Sequence, residues 1–235
     1  MGHLTRFGLS SLKSFQLDAV NAVESKGIQL SMFNQLVQGR VCATSYLLCS
    51  TVVVSRWLHD AVDGMLREEQ AGFRTGRSTT EHIFVLRNVI EQSLEWNASL
   101  YTCFVDYEKA FDSVHRETLW RIMQSYGIPS KFIRIVKLFY SNTQSAVIDG
   151  AGKSDWFTVK SGVKQGCVMS GFLFLLIIDW IMCRTTEQGN TGIRWKMMRQ
   201  LEDLDYADDI ALISITWTQA QTKLERLGAT VKVRV

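Results

Sequence analysis

The stretch Leu204-Asp205-Tyr206-Ala207-Asp208-Asp209-Ile210-Ala211-Leu212-Ile213 sets two adjacent acids between short apolar runs. This is the pattern of a tight hairpin with a charged tip between buried strands. Holding a carboxylate pair between buried strands is costly unless a cation sits on that pair. The hairpin therefore directs attention to a third acid elsewhere in the chain and to whatever the cation would act on.

The third acid is Asp106. Residues Leu100 to Val105 form a short, nearly continuous apolar run that ends at it, which is how a central buried strand looks. If that strand and the hairpin are neighbours in one sheet, Asp106, Asp208 and Asp209 converge at one edge. Converging carboxylates with no His or Cys nearby favour a hard cation with oxygen ligands, meaning Mg²⁺. Two such ions bridged by carboxylates suit in-line phosphoryl transfer: one activates the attacking oxygen and the other stabilises the leaving group. An Asp-Asp pair taken alone is more often a solvated turn. The flanking apolar strands and the third acid move the balance toward a metal.

At 235 residues the chain is long enough for one large domain or two interleaved lobes. A hydrophobic content of 46% with 21% charged residues belongs to a folded protein rather than a disordered one. The net charge of +3, from 26 Lys+Arg against 23 Asp+Glu, permits nucleic-acid contact without arguing for it. Cys42, Cys49, Cys103, Cys167 and Cys183 form no CxxC pair and no zinc spacing. They are expected to be buried, reduced thiols, which points to an intracellular setting, nucleus or cytoplasm. The N-terminus lacks a signal-peptide pattern. The runs Val41 to Ser55 and Gly171 to Cys183 fall short of the ~20 residues of a membrane helix, and no membrane segment is expected. A single proline, against average usage of about 5%, fits a helix-rich protein or a chain not wholly under folding selection.

Along the chain, Leu12, Phe15, Ala19 and Val23 share a helical spacing, and Val41 to Val54 is a buried strand or helix. A short helix is expected over Leu58 to Leu66, followed by the basic loop Gln70-Ala71-Gly72-Phe73-Arg74-Thr75-Gly76-Arg77-Ser78. Ser78 and Glu81 have capping-box spacing and start a helix with Ile83, Leu86, Ile90 and Leu94 on one face. Asp112 or Ser113 caps the next helix, which carries Leu119, Ile122, Met123 and Tyr126 and stops at Gly127 and Pro129. A further helix has Phe132, Ile135, Val136 and Phe139 on one face. A hairpin turns around Asp149-Gly150-Ala151-Gly152, with arms Ala146 to Ile148 and Trp156 to Val159. Phe172 to Met182 is apolar almost all round and reads as a buried helix. Residues 187 to 203 are looser, and Trp217, Ala220, Leu224 and Leu227 mark a last helix. Strands and helices together predict an α+β or α/β layer on a small sheet.

Three segments carry a resemblance: Phe104-Val105-Asp106-Tyr107-Glu108-Lys109-Ala110-Phe111-Asp112, Gly162-Val163-Lys164-Gln165-Gly166-Cys167, and Tyr206-Ala207-Asp208-Asp209. Their order and spacing resemble those of reverse transcriptases, most of all those of non-LTR (LINE-type) retrotransposons, over about Asp60 to Leu227. The resemblance implies an α+β fold: a polymerase right-hand palm, a small antiparallel sheet packed on helices, with partial fingers and no thumb. It implies an RNA-directed DNA polymerase using two Mg²⁺ ions, with Mn²⁺ as an alternative, on Asp106, Asp208 and Asp209. Its partners would be an RNA template, a DNA primer and a deoxynucleotide. By the same resemblance Phe111 is a steric gate against a 2′-hydroxyl, Gln165 and Gly166 line the nascent base pair, and Tyr206 abuts the primer end. Arg74 and Arg77 would face the template backbone. Asp112 reads first as a helix cap.

The usual Pro after Ser170 is replaced by Gly171. Gly39-Arg40 only faintly echoes the basic residues that grip the triphosphate, and Gly228 to Val235 matches no downstream element of the family. The expected division is an unassigned segment 1–57, a fingers-like segment 58–102, a palm 103–216 whose residues 130–162 pack with the fingers, and a truncated stub 217–235. The alternative is a catalytically inactive retroelement remnant that keeps only nucleic-acid or metal binding. An RNA-templated RNA polymerase is disfavoured by Phe111 and Ala207, and a palm-type nucleotidyl cyclase leaves Gln165-Gly166 unexplained.

Overall fold

The computed structural model describes residues 44–234 apart from 142, 150–151, 188, 190 and 197–198. The expected helix face at Leu12 to Val23 and the Gly39-Arg40 pair lie outside the described residues. In chain order the helices are α1 (Thr44–Val62), α2 (Thr79–Glu95), α3 (Ala110–Ser113), α4 (Arg116–Ser125), α5 (Ser130–Tyr140), α6 (Val168–Thr186) and α7 (Trp217–Arg234). The strands are β1 (Tyr101–Val105), β2 (Gln144–Ser145), β3 (Ile148–Asp149), β4 (Gly152–Lys153), β5 (Phe157–Thr158), β6 (Ile193–Lys196), β7 (Arg199–Leu201), β8 (Asp203–Tyr206) and β9 (Asp209–Ser214). The α+β class follows directly.

The chain forms two compact units. One holds the described residues up to Gly64 with Trp120–Gly162, and the other holds Met65–Leu119 with Val163–Val235. The expected fingers-like segment 58–102 is thus divided at Gly64, with its larger part in the unit of the palm strands. The first unit is helical with one interrupted hairpin. In α1, Val54, Leu58 and Val62 are buried at spacings of 4, which settles the strand-or-helix alternative for this run from Thr44 onward. Phe132, Ile133, Ile135, Val136 and Tyr140 form the buried face of α5. Trp120 packs on Tyr140 with ring centroids 6.0 Å apart. Gly127, at φ +74°, ends the preceding helix as expected, and Ile128 N–H donates back to Met123 O at 3.1 Å. The hairpin forms as two short ladders, Ser145 opposite Phe157 and Ile148 opposite Lys153.

The second unit is built on a three-stranded antiparallel sheet of order β1-β9-β8. Here the expectation for Leu100 to Val105 is corrected: β1 is the edge and β9 is the centre. Phe104 is 70% exposed, whereas Ile210 to Ser214 are all buried. A continuous apolar run states only that a strand is hydrophobic; strand order decides which one is covered on both sides. The sheet packs on α2 through Leu204, Ala211 and Ile213 against Val89, joined by Leu201 of β7, with Val85 and Leu86 alongside. The face of α2 that packs is therefore rotated from the one expected: Ile83, Ile90 and Leu94 are exposed and Val89 is buried. The Ser78 cap is as expected, its side chain accepting from Glu81 N–H at 3.4 Å. For α4 the cap is neither Asp112 nor Ser113 but His115, whose Nδ1 accepts from Thr118 N–H at 3.4 Å. Asp112 instead lies within α3.

Helix α6 is long and apolar enough to cross a membrane by length and composition, but 78% of that apolar window is buried inside the fold. It serves as the core helix. Helix α7 continues past Gly228 to Arg234, longer than the expected run ending at Leu227. It docks through Leu227 and the fully buried Lys223, while Trp217 is 66% exposed. The Lys223 ammonium donates to Glu202 O and Ile213 O and pairs with the Glu202 carboxylate at 2.7 Å. Among the described cysteines, Cys103, Cys167 and Cys183 are free, but the first two are only half-buried and Cys183 is exposed, against the burial expected.

Candidate active site

The register of the sheet builds the site. Val105 pairs with Ile210, so the chain leaves β1 at Asp106 abreast of Asp209. Tyr206 pairs with Asp209, which leaves Ala207 and Asp208 as a two-residue turn. Ala207 takes φ +56°, the left-handed conformation such a turn requires. The three acids singled out in the sequence thus reach one end of one sheet. Asp106 and Asp209 are exposed and Asp208 is half-buried. Three carboxylates without nitrogen or sulfur donors fit a hard cation. Among the described residues, however, no three acidic, His or Cys side chains are drawn into one metal-sized cluster.

The hairpin also carries acids of a different kind. Asp203 and Asp205, two apart on β8, point to one face and are 0% exposed, as is Asp179 of α6. One guanidinium answers all of them. Arg67 donates from Nη1 to Asp203 Oδ1 at 3.0 Å and pairs through Nη2 with Asp203 Oδ2 at 2.8 Å and with Asp205 Oδ2. Its backbone N–H donates to Asp179 Oδ1 at 2.9 Å. Burial pulls the Arg67 pKa down, but Asp203, Asp205 and Asp179 outweigh it and hold the group well above its ordinary value. Burial, then the Asp203 charge, drives the Asp205 carboxyl well up against the opposing pull of Arg67. Burial, then Asp205, likewise raises the Tyr107 hydroxyl, which is buried without a hydrogen-bond partner.

The cost of holding carboxylates between buried strands thus falls on acids other than Asp208 and Asp209. The hairpin's buried carboxylates are Asp203 and Asp205, and their cation is Arg67. The alternation of Asp203 with Asp205, and an acid inside the apolar run of α6, were the available signals.

Around the tip, Phe111 is half-buried. Its ring stacks on Phe174 at 4.5 Å and 17°, and Phe73 meets it edge-on at 6.2 Å. Val163 N–H donates to Phe111 O at 2.8 Å, tying α3 to the Gly162–Cys167 segment. Gln165 is exposed, and its Nε2 lies 3.3 Å from both Asp112 carboxylate oxygens. Asp112 therefore orients Gln165, a role its sequence position did not suggest. Gly166 has φ +77°, which favours glycine. Gly171 is the fourth residue of α6, and a Cβ there would lie 2.8 Å from the Phe73 ring. Glycine in place of the usual Pro makes room for that ring. Of the two arginines assigned to template, Arg74 donates from Nη1 to Arg67 O at 2.6 Å and Gln70 O at 3.0 Å, serving its own loop. Arg77 is exposed.

A small antiparallel sheet on helices, with an acid just past the end of one strand and two more at the tip of the adjacent hairpin, is the palm of a right-hand polymerase. The chain belongs to the family described as "Reverse transcriptase (RNA-dependent DNA polymerase)", which matches residues 41–234. It is 26% identical over 173 residues to the "Transposon TX1 uncharacterized 149 kDa protein" of Xenopus laevis, with 73% of this chain and 13% of that protein aligned. It is also 26% identical over 166 residues to the R2 retrotransposable-element Pol polyprotein of Nasonia vitripennis, with 71% and 16% aligned. A third relative, the RNA-directed DNA polymerase of the mobile element jockey from Drosophila funebris, shares 26% over 146 residues, with 62% and 15% aligned. The chain therefore spans about a seventh of the length of these relatives. The non-LTR resemblance is borne out by their names. The fold matches that of telomerase from Candida tropicalis, with a TM-score of 0.52 and 16% identity over 90% of this chain and 39% of that one. It also matches Candida albicans telomerase, solved with a fragment of telomeric RNA, with a TM-score of 0.54, 12% identity, and 81% and 32% coverage. Reverse transcriptases as a family work with divalent metals.

Proposed function

We propose that this chain carries the catalytic centre of an RNA-directed DNA polymerase. The reaction would be attack of a DNA primer 3′-hydroxyl on the α-phosphate of a deoxynucleotide, templated by RNA, with pyrophosphate leaving. The observation that carries it is the β1–β9–β8 register, which brings Asp106, Asp208 and Asp209 to one sheet end. Those three carboxylates would hold two Mg²⁺ ions, with Mn²⁺ as a substitute. When bound, the ions supply activation of the attacking oxygen and charge stabilisation at the leaving group.

The remaining roles belong to side chains. Phe111, backed by the Phe174 ring, presents a rigid aromatic wall to the incoming sugar and excludes a 2′-hydroxyl. Gln165, oriented by Asp112, meets the nucleotide, and Gly166 lets the backbone come close. Tyr206 flanks the primer end. Arg77 contacts template phosphate, which positions the strand without reading its sequence. Nucleus or cytoplasm is the proposed setting.

Primer extension on an RNA template with Mg²⁺ or Mn²⁺, comparing wild type with Asp208→Ala, tests this reading. Extension by wild type and its reduction to background by the substitution are expected. A folded wild-type chain that binds primer–template without extending it would overturn the assignment in favour of a nucleic-acid-binding remnant.

A further inference from the structure

Gln70 is 0% exposed, and a buried amide persists only where its hydrogen bonds are made. Its Oε1 accepts from Ala207 N–H at 3.0 Å and from Gly72 N–H at 2.7 Å, and its Nε2 donates to Ala207 O at 3.4 Å. One side chain thus grips both backbone polar groups of a single residue 137 positions away. That residue is the left-handed one in the two-residue turn, directly before Asp208. A non-glycine residue holds a positive φ only where its surroundings impose it.

The loop carrying Gln70 is itself fixed to β8. Asp205 N–H donates to Glu69 O at 3.0 Å, and Ala71 N–H donates to Asp205 O at 2.9 Å, adding a parallel bridge beside the strand. The approach is so close that a Cβ on Gly72 would lie 2.1 Å from the Ala207 nitrogen. Glycine at that position is what lets the loop reach the turn.

We propose that Gln70 is a positioning residue for polymerisation: its amide holds Ala207 left-handed and so aims Asp208 and Asp209, while Gly72 clears the space for that grip. This rests on the reading of Asp208 as a catalytic carboxylate. A small misplacement of reacting groups lowers a rate by about 10²-fold.

The test uses the full 235-residue chain. Gln70→Ala is expected to lower kcat for primer extension by roughly 10²-fold with the dNTP KM little changed. Ala207→Gly in the same chain is expected to restore part of that loss, because glycine adopts the left-handed angle unaided. Gly72→Ala should not be rescued by Ala207→Gly, since its clash is with the backbone nitrogen. Gln70→Glu is the second variant. A protonated carboxyl keeps one donor and one acceptor, so its activity should fall as pH rises through a step that wild type lacks.

Amide exchange at Ala207 reads the grip without reference to activity, and its protection should be lost in folded Gln70→Ala. Retained protection there overturns the proposal, as does wild-type kcat. Were wild type inactive, the function would fall while the exchange comparison still decided the grip.

Discussion

Phe111 and Asp112 are neighbours with separate contacts. The Phe111 ring is pressed flat against Phe174, which fixes the plane it presents, and Asp112 holds the Gln165 amide. Phe111→Val removes the wall while keeping an apolar residue on the core side. It is expected to raise ribonucleotide use relative to deoxynucleotide use by about 1–3 kcal/mol in kcat/KM, the usual worth of a hydrophobic pocket contact. Competition assays with matched dNTP and rNTP measure it, and an unchanged ratio would remove Phe111 from the gate. The sequence motif located both residues, but nothing local in it showed that Asp112 is tied to Gln165 rather than to a helix end.

At the scale of elements, the hairpin β8–β9 has two chemically distinct faces. Its tip carries the half-buried Asp208 and the exposed Asp209, while Asp203 and Asp205 turn inward onto Arg67 with Asp179. Arg67→Met leaves buried carboxylates without their cation and is expected to cost about 3–5 kcal/mol, read from urea unfolding. Asp205→Asn should be tolerated. The Asp205 pKa in the fold lies well above its value near 3.8 in the unfolded chain. Below that value both states hold the proton; as pH rises, the unfolded chain releases it first. Stability from this group is therefore greatest at low pH and declines as pH rises toward the folded pKa. Asp205→Asn should flatten that decline, and an identical pH profile in the variant would show that Asp205 does not carry it. The period-two spacing of these acids was legible; their partner, 136 and 138 residues upstream, was not.

Over the whole molecule, a net charge of +3 is too small for a strong nonspecific field, so the proposed phosphate contacts are expected to be local. Arg77 is the exposed arginine of the basic loop, while Arg74 is engaged by the carbonyls of Arg67 and Gln70. Arg77→Ala is expected to weaken primer–template binding alike for all sequences and to lower the salt-dependence slope by about 1. Arg74→Ala should act through stability of the loop instead. Binding isotherms over a salt series separate the two; a slope that stays put in Arg77→Ala would place the template elsewhere. The last helix belongs to the same unit as the sheet, pinned by Lys223 to carbonyls at Glu202 and Ile213, so the α7 segment is part of the palm's support.

Much of this protein was written in local pattern. The acid after an apolar strand, the two-acid turn, the Ser78 cap and the Gly127 stop depend on residues a few positions apart, and periodicity and turn chemistry report such relations directly. Strand order, the packed face of α2, the buried Arg67 cluster and the Gln70 grip on Ala207 depend on residues more than a hundred positions apart or on which surface is covered. Those were decided by packing, because the same apolar run suits an edge or a centre. Likewise an acid's cost is known from sequence, but the cation that answers it is known only once the chain has closed around it.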